Sequence, residues 1–388
     1  MRFPEDVPAL TDDVVTLRAH TVADVQPAYE VCQDPEMQRW TTIPVPYELQ
    51  NAEHYLTEFV PAGWREGNSW AWAIEYDGRY AGTIDLRPEE GNVGEVGFAI
   101  APWARGNGVM TRALKLAVRY AFDQGWERVT WRAYVGNWGS RRVAWKAGFR
   151  NLVTIPGSGV QRGVRRDEWV ASIARDDVPE PQGNWWRVPV IELAGVRLRA
   201  FESTDAKRLV EACNDERTQE WLVGLPKPYQ LEDAEGFIES RLENVASGEG
   251  VSWALADPDT DELLGNVSVF DLRNRIDKTM GEVGYWAHPD ARGRGVMSTA
   301  VRGAIGHAFT PVADGGLGRR RLVLFAAEGN TASQRVAEVN GFTRTGRERG
   351  ASPDRDGGFR DLHCFDLLIT DQRPGMSRWT AVKSRSQR

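Results

Sequence analysis

The residues best placed to do chemistry in this chain lie in two short glycine loops. They are Arg105-Gly106-Asn107-Gly108-Val109-Met110 and Arg292-Gly293-Arg294-Gly295-Val296-Met297. Glycines let the backbone turn tightly and approach a ligand, and the first N–H groups of a following helix stay free to bind whatever fills the turn. A loop built this way is a cradle for a diphosphate. A single loop of this kind is equally well a plain turn. Here the flanking Glu, aromatic, Pro, Arg and Met repeat with it, at an offset of 187 that sets Glu282 against Glu95.

The cradle needs a strand before it and a helix after it, and both are legible. Glu95 to Ile100 reads as a strand and Arg105 to Gly108 as the loop. A helix opens near Val109, where Met110, Ala113, Leu114, Ala117, Val118 and Ala121 recur at helical spacing. The repeat extends in both directions. Leu17-Arg18-Ala19 answers to Leu198-Arg199-Ala200 at an offset of 181, and Asn137 to Val143 parallels Asn330 to Val336 at 193. A first strand through Leu17, a helix from about Ala23 to Cys32 capped by Thr21, and a helix over about Leu49 to Phe59 are expected. Hairpin strands follow at Trp70-Tyr76 with Tyr80-Leu86, turning at Asp77-Gly78, and at Ser252-Ala256 with Leu263-Phe270. Strands at Val129-Tyr134 and Leu322-Ala326, a helix ending in Gly148-Phe149 or Gly341-Phe342, and closing strands near Trp169-Ile173 and His363-Leu368 complete each half.

At 388 residues, with 41% hydrophobic and 27% charged residues, the chain has the composition of a globular protein with a sizeable core in each half. The expected division is an N-terminal domain over 1–176, a linker over 177–187 containing Pro179, Pro181 and Gly183, and a C-terminal domain over 188–372. A polar basic tail, 373–388, is expected to be disordered. So short a linker suggests that the halves pack as an intramolecular pseudo-dimer, with Trp185 and Trp186 buried between them. The net charge of −7 argues against a nucleic-acid-binding body. No apolar run approaches the roughly 18 residues of a membrane helix, and Met1 to Asp6 lacks a signal-peptide core, which suggests the cytoplasm. Three cysteines make no disulfide framework. Cys32 and Cys213 fall at equivalent places and read as buried helix-end residues, and no Cys or His spacing suits a metal.

As a set, the glycine loops and the Asn-x-x-Ser helices resemble the GNAT N-acetyltransferase superfamily, and specifically its RimJ/RimL-like branch. Met110 and Met297 depart from the small residue usual at the end of the family's loop and would narrow the space beside a diphosphate. The resemblance implies an α+β fold, twice over, each copy a mostly antiparallel mixed sheet flanked by helices. It also implies acetyl-CoA as cosubstrate, no metal, and a primary amine as acceptor. Backbone N–H groups of Asn107 to Met110 and of Arg294 to Met297 would hold the phosphates, with Arg105 and Arg292 adding charge or forming surface ion pairs instead. Pantetheine would lie against Ile100 and Ala287 on the fourth strand of the family's sheet.

Glu95 and Glu282 match the family's general-base position, though an exposed strand-end carboxylate is the bland alternative. Ser140 and Ser333 match a hydroxyl beside the CoA sulfur, able to donate to a departing thiolate, or they are ordinary helix caps. Asn137 and Asn330 would hold pantetheine or cap the same helices. The segments containing Trp40 with Tyr47, and Trp221 with Tyr229, border the acceptor side in the family; otherwise they form an aromatic lid over the core. Asp34, Glu36, Asp215 and Glu216 could attract a cationic amine or be solvated turn residues. Sixteen tryptophans hint at an aromatic acceptor pocket. The favoured acceptor is a peptide or protein N-terminal α-amine, with aminoglycoside-like or other amino metabolites as alternatives. Both sites look intact; an enzyme with one catalytic half, the other kept for packing or acceptor binding, is the alternative, and a noncatalytic acyl-CoA-binding protein is the rival outside enzymology.

Overall fold

A computed structural model describes residues 7–371. The expectations for the terminal segments Met1 to Asp6 and 373–388 fall outside those residues. The chain forms two compact units, divided between Gln182 and Gly183. In the first, the strands are β1 (Leu10–Thr11), β2 (Val15–Arg18), β3 (Trp70–Tyr76), β4 (Arg79–Glu89), β5 (Val93–Ile100), β6 (Arg128–Tyr134), β7 (Arg150–Gln161) and β8 (Val164–Ala174). They form one sheet in the order β1-β2-β3-β4-β5-β6-β8-β7, antiparallel except where β5 runs parallel to β6. Its helices are α1 (Val25–Cys32), α2 (Pro35–Trp40), α3 (Leu49–His54), α4 (Val60–Glu66), α5 (Val109–Asp123) and α6 (Trp138–Lys146).

The second unit repeats the order. Its strands are β9 (Ile191–Leu193), β10 (Val196–Arg199), β11 (Val251–Ala256), β12 (Leu263–Phe270), β13 (Met280–Ala287), β14 (Arg321–Ala327), β15 (Thr343–Pro353) and β16 (Phe359–Leu368). They run β15-β16-β14-β13-β12-β11-β10-β9, with β13 parallel to β14. Its helices are α7 (Ala206–Asn214), α8 (Glu216–Trp221), α9 (Leu231–Ser247), α10 (Val296–Phe309) and α11 (Thr331–Val339). Each unit is therefore an α+β domain with an eight-stranded mixed sheet.

The cores explain most of the tryptophans. Trp70, Trp72, Trp126 and Trp131 are fully buried in the first unit and Trp253 in the second. Trp64 meets Trp72 edge-on at 4.9 Å between ring centres, and Trp70 packs on Trp126 at 5.3 Å. They stabilise the fold by burying large area, so the aromatic acceptor pocket suggested by their number is not where most of them sit. Trp186 is also buried in its own unit, where its Nε1 donates to Gly248 O at 2.9 Å and its ring joins the second core. The linker expectation likewise shortens, since Trp145 Nε1 donates to Gln182 O and Arg150 to Val178 O within the first unit.

Two glycines let the sheet pass close to its neighbour strand. Gly82 and Gly265 take φ of 150° and 154°, and a Cβ on Gly265 would stand 2.5 Å from Trp286 O across the ladder. Gly265→Ala must move backbone as well as adopt a φ that L residues avoid. It is expected to cost about 3 kcal/mol, read as a Tm lower by about 6–12 °C in thermal unfolding.

Candidate active sites

Both glycine loops follow a short 3₁₀ turn, Pro102–Ala104 or Pro289–Ala291, and end in a glycine that caps the next helix. Gly106 and Gly108 have φ of 80° and 77°, and Gly293 and Gly295 have 74° and 75°. A Cβ on any of the four would meet nothing within 4 Å, so backbone conformation demands glycine and the space above the turn is open. The first N–H returned to the loop is that of Arg112, to Gly108 O at 3.1 Å, and in the second unit that of Thr299, to Gly295 O at 3.2 Å. The N–H groups of Val109, Met110 and Thr111, and of Val296, Met297 and Ser298, therefore have no partner among the described residues.

The side chains of the first two residues of each helix pack toward the cores. Val109, Met110 and Val296 are buried in the cores and Met297 packs against one, so the methionines do not narrow a diphosphate site. Arg105 and Arg292 take the second of their two readings and form ion pairs. Arg105 pairs with Asp34 and donates to Ile100 O at 3.3 Å. Arg292 pairs with Asp215 and donates to Thr218 Oγ1 at 2.9 Å. Asp34 and Asp215 meanwhile cap α2 and α8, accepting from Met37 N and Thr218 N. The arginine thus ties loop to helix in each unit, and its guanidinium holds Asp215 below the usual carboxylate range. Neither aspartate is free to attract an amine. Asn107 closes its own turn by donating to Arg105 O, and Arg294 lies 3.7 Å from Asp257.

Beside each loop the sheet opens. The β5/β6 ladder runs from Val93 opposite Arg128 to Val96 opposite Trp131 and then stops, while β5 stays paired with β4 as far as Ile100. The β13/β14 ladder stops at Glu282 opposite Val323, with β13 paired to β12 as far as Ala287. Ala101 N donates to Ala81 O on the β4 side, and His288 N to Leu264 O on the β12 side. Strand alternation then turns the N–H groups of Phe98 and Ile100, and of Tyr285 and Ala287, into the gap. The N–H groups of Ile100 and Ala287 thus lie along an extended slot, while Ile100 O accepts from Arg105.

At the closed end of each gap stands the strand glutamate, in different company in the two units. Glu95 receives Arg87 Nη2 at 2.7 Å on one oxygen and Arg132 Nε at 3.1 Å on the other. Burial raises its pKa, opposed by those two guanidinium groups. Glu282 has no ion-pair partner among the described residues. Burial, then the nearby Asp271 charge, lifts its carboxyl to about 7. It opens onto a cavity of about 430 Å³ lined also by Asp271, Met280, Val323, Phe325 and Glu348.

Ser140 and Ser333 both begin helices whose caps are Asn137 and Asn330, which accept from the serine N–H groups at 3.1 and 3.2 Å. The asparagines are therefore caps. The hydroxyl partners differ: Trp131 Nε1 donates to Ser140 Oγ at 3.0 Å, whereas Ser333 Oγ lies 3.1 Å from the hydroxyl of Tyr285. Tyr285 was visible in the sequence only as the aromatic matching Phe98, yet it adds a second hydroxyl at the gap. Burial pushes that phenol up to about 12.

The aromatic pairs divide. Tyr47 and Tyr229 are buried in small clusters beneath α1 and α7, where burial raises both phenols, and they act as core rather than as acceptor contacts. Trp40 and Trp221 are only half-buried. Trp40 Nε1 donates to Glu36, and the ring approaches Gly136; Trp221 lies against Gly329 and under Arg360.

The sequence profile described as an acetyltransferase (GNAT) domain matches residues 15–150 and again 196–343. YdaF of Bacillus subtilis, provisionally named a ribosomal N-acetyltransferase, is 29% identical over 176 residues, 45% of this chain and 91% of that protein. YoaA of the same organism, an uncharacterized N-acetyltransferase, is 28% identical over 160 residues, 41% of this chain and 85% of its own. Mycobacterium smegmatis RimJ, solved in complex with CoA-disulfide, is 20% identical over 46% of this chain and 91% of its own, with a TM-score of 0.41. With its glycine loops, its parted strands and two profile matches that together span more than half its length, this chain belongs to the GNAT acetyltransferase family and carries that family's domain twice.

Proposed function

We propose that this protein transfers the acetyl group of acetyl-CoA to a primary amine. The observation that carries the reading is the conjunction, in each unit, of an unpartnered helix-start N–H cluster with a slot of free strand backbone. The first suits a diphosphate and the second an extended pantetheine amide chain. In the transfer, the acceptor ammonium gives a proton to the strand glutamate and the freed amine attacks the thioester carbonyl. A strand N–H steadies the oxyanion, the carbon–sulfur bond breaks, and CoA leaves as thiolate, which takes up the second proton that the new amide nitrogen sheds and departs as the free thiol. No covalent enzyme intermediate is required.

A peptide or protein N-terminal α-amine is the favoured acceptor, supported by the ribosomal assignment in the name of YdaF. A polycationic amino metabolite is the second reading, favoured by Asp271 and Glu348 in the wall around Glu282. Among the described residues no helix is long and apolar enough to cross a membrane, and the reading places the reaction in the cytoplasm. The test is acetyl-CoA-dependent thiol release, screened over peptides of varied N-terminus and over amino metabolites. Release with one class identifies it. Tight acetyl-CoA binding without release from any acceptor would instead establish a noncatalytic acyl-CoA binder.

The serine hydroxyl offers a further check. A hydrogen bond to a charged group contributes about 1.5–3 kcal/mol, so Ser333→Ala is expected to lower kcat about 10- to 100-fold with acetyl-CoA affinity little changed. Unchanged kcat would leave Ser333 as a helix-start residue alone.

A further inference from the structure

We propose that only the C-terminal unit carries a base competent at neutral pH, and that Arg87 and Arg132 silence Glu95 in the N-terminal unit where Phe270 and Phe325 leave Glu282 free. This rests on the acetyltransferase reading and assigns its turnover to one of the two sites.

Strand register makes the comparison position by position. Arg87 lies opposite Glu95 on the antiparallel side, and Phe270 lies opposite Glu282 in the same place. On the parallel side Glu95 faces Thr130 and Glu282 faces Val323, so two residues further along the strand Arg132 corresponds to Phe325. The glycines confirm the overlap. A Cβ on Gly97 would meet Arg87 Nη2 at 3.0 Å, and one on Gly284 would meet Phe270 Cε1 at 3.0 Å. Guanidinium and phenyl ring cover the same stretch of strand.

Two exchanges of Arg for Phe change what the glutamate can do. In the first unit each carboxylate oxygen is paired with a guanidinium, and Arg132 also reaches Glu168 at 3.7 Å. Around that group stand Asp85 and Glu89 on β4, Arg132 on β6 and Glu168 on β8. Burial still raises the Glu95 carboxyl, but the two guanidinium groups oppose the rise and occupy its oxygens, whereas among the described residues no cation does so for Glu282. In the second unit the groups facing Glu282 are Asp271 after β12, Arg321 on β14, Glu348 on β15 and Cys364 on β16. The cation among them is taken, since Arg321 pairs with Asp366 at 3.0 Å. Apolar rings and like charge favour the protonated form, which is what a base needs to accept a proton near neutrality.

The experiment is a pH titration of the intact protein carrying glutamate labelled with ¹³C at the side-chain carboxyl, with Glu95→Gln and Glu282→Gln used to assign the two signals. The expected result is that Glu282 titrates near neutrality and Glu95 resolvably below it, and that Phe325→Arg draws Glu282 down by about one unit or more. Coincident titration of the two carboxyls, or an unmoved Glu282 in Phe325→Arg, overturns the proposal. In turnover, Glu282→Gln is expected to leave a tenth or less of wild-type acetyl transfer, and a larger remainder overturns it. Should the wild-type protein acetylate no amine at all, the transferase reading fails, while the titration still decides whether the arginines silence Glu95.

Discussion

Glu282→Gln is expected to lower kcat by about 10²- to 10⁴-fold, the usual worth of a positioned general base. Acetyl-CoA should still bind, because the loop and the strand backbone that would hold it are untouched. In the wild-type protein, activity should rise with pH through about 7 as Glu282 loses its proton. In the variant that limb disappears, leaving the ionisation of the acceptor amine itself, about 7.7–8.0 for an α-amine. Steady-state kinetics over pH 5.5–9 with a fixed peptide acceptor would read both. A variant with kcat within threefold of wild type would remove Glu282 from the chemistry.

The same substitution has a consequence for stability, with a definite sign. Burial raises the folded-state pKa of Glu282 above its unfolded value, so its carboxyl favours the fold below about 4.5, and this support is lost as pH rises through about 7. Glutamine is neutral throughout. With one side of the site open to solvent, the difference amounts to about 1–2 kcal/mol at pH 8, and Glu282→Gln should unfold about 2–8 °C higher than wild type there. Near pH 4.5 the two proteins should unfold together. A site that destabilises its own fold at the working pH in order to keep a weak acid poised is the usual trade between function and stability.

The repeat made much of this legible before any coordinates. Paired offsets located the strands, the glycine turns and the serine helices, because those features depend on local spacing and on backbone conformations that few residues tolerate. β7 and β15 were missed because they are sheet-edge strands with little to alternate. Thr343–Pro353 contains almost no apolar residue, and Arg150–Gln161 is interrupted by Pro and Gly. The contrast around the two glutamates was half visible. The offset of 193 already set Arg132 against Phe325. Arg87 against Phe270 was hidden, because the connection between β12 and β13 is longer than that between β4 and β5 and only the hydrogen-bonded register brings the two positions together. The ion pairs of Arg105 and Arg292 were hidden for a similar reason, since Asp34 and Asp215 lie far away in sequence.

Gly295→Val is expected to weaken acetyl-CoA binding to the C-terminal unit by at least about tenfold. Gly295 sits at φ 75°, where a β-branched residue is a true outlier, at a cost of about 1–3 kcal/mol. The loop can relieve that cost only by rotating the peptide that caps α10, and this turns the N–H groups of Val296 and Met297 away from the phosphates they would bind. Because a Cβ there meets no neighbouring atom within 4 Å, the fold itself should survive, and thermal unfolding should change by no more than the strain. Titration calorimetry separates the units: Gly108→Val should remove the N-terminal binding event and spare the other, and Gly295→Val the reverse. If turnover belongs to the C-terminal unit, only Gly295→Val raises KM for acetyl-CoA. Undiminished binding in both variants would mean that these turns do not hold the thioester carrier, and the transferase mechanism built on them would have to be abandoned.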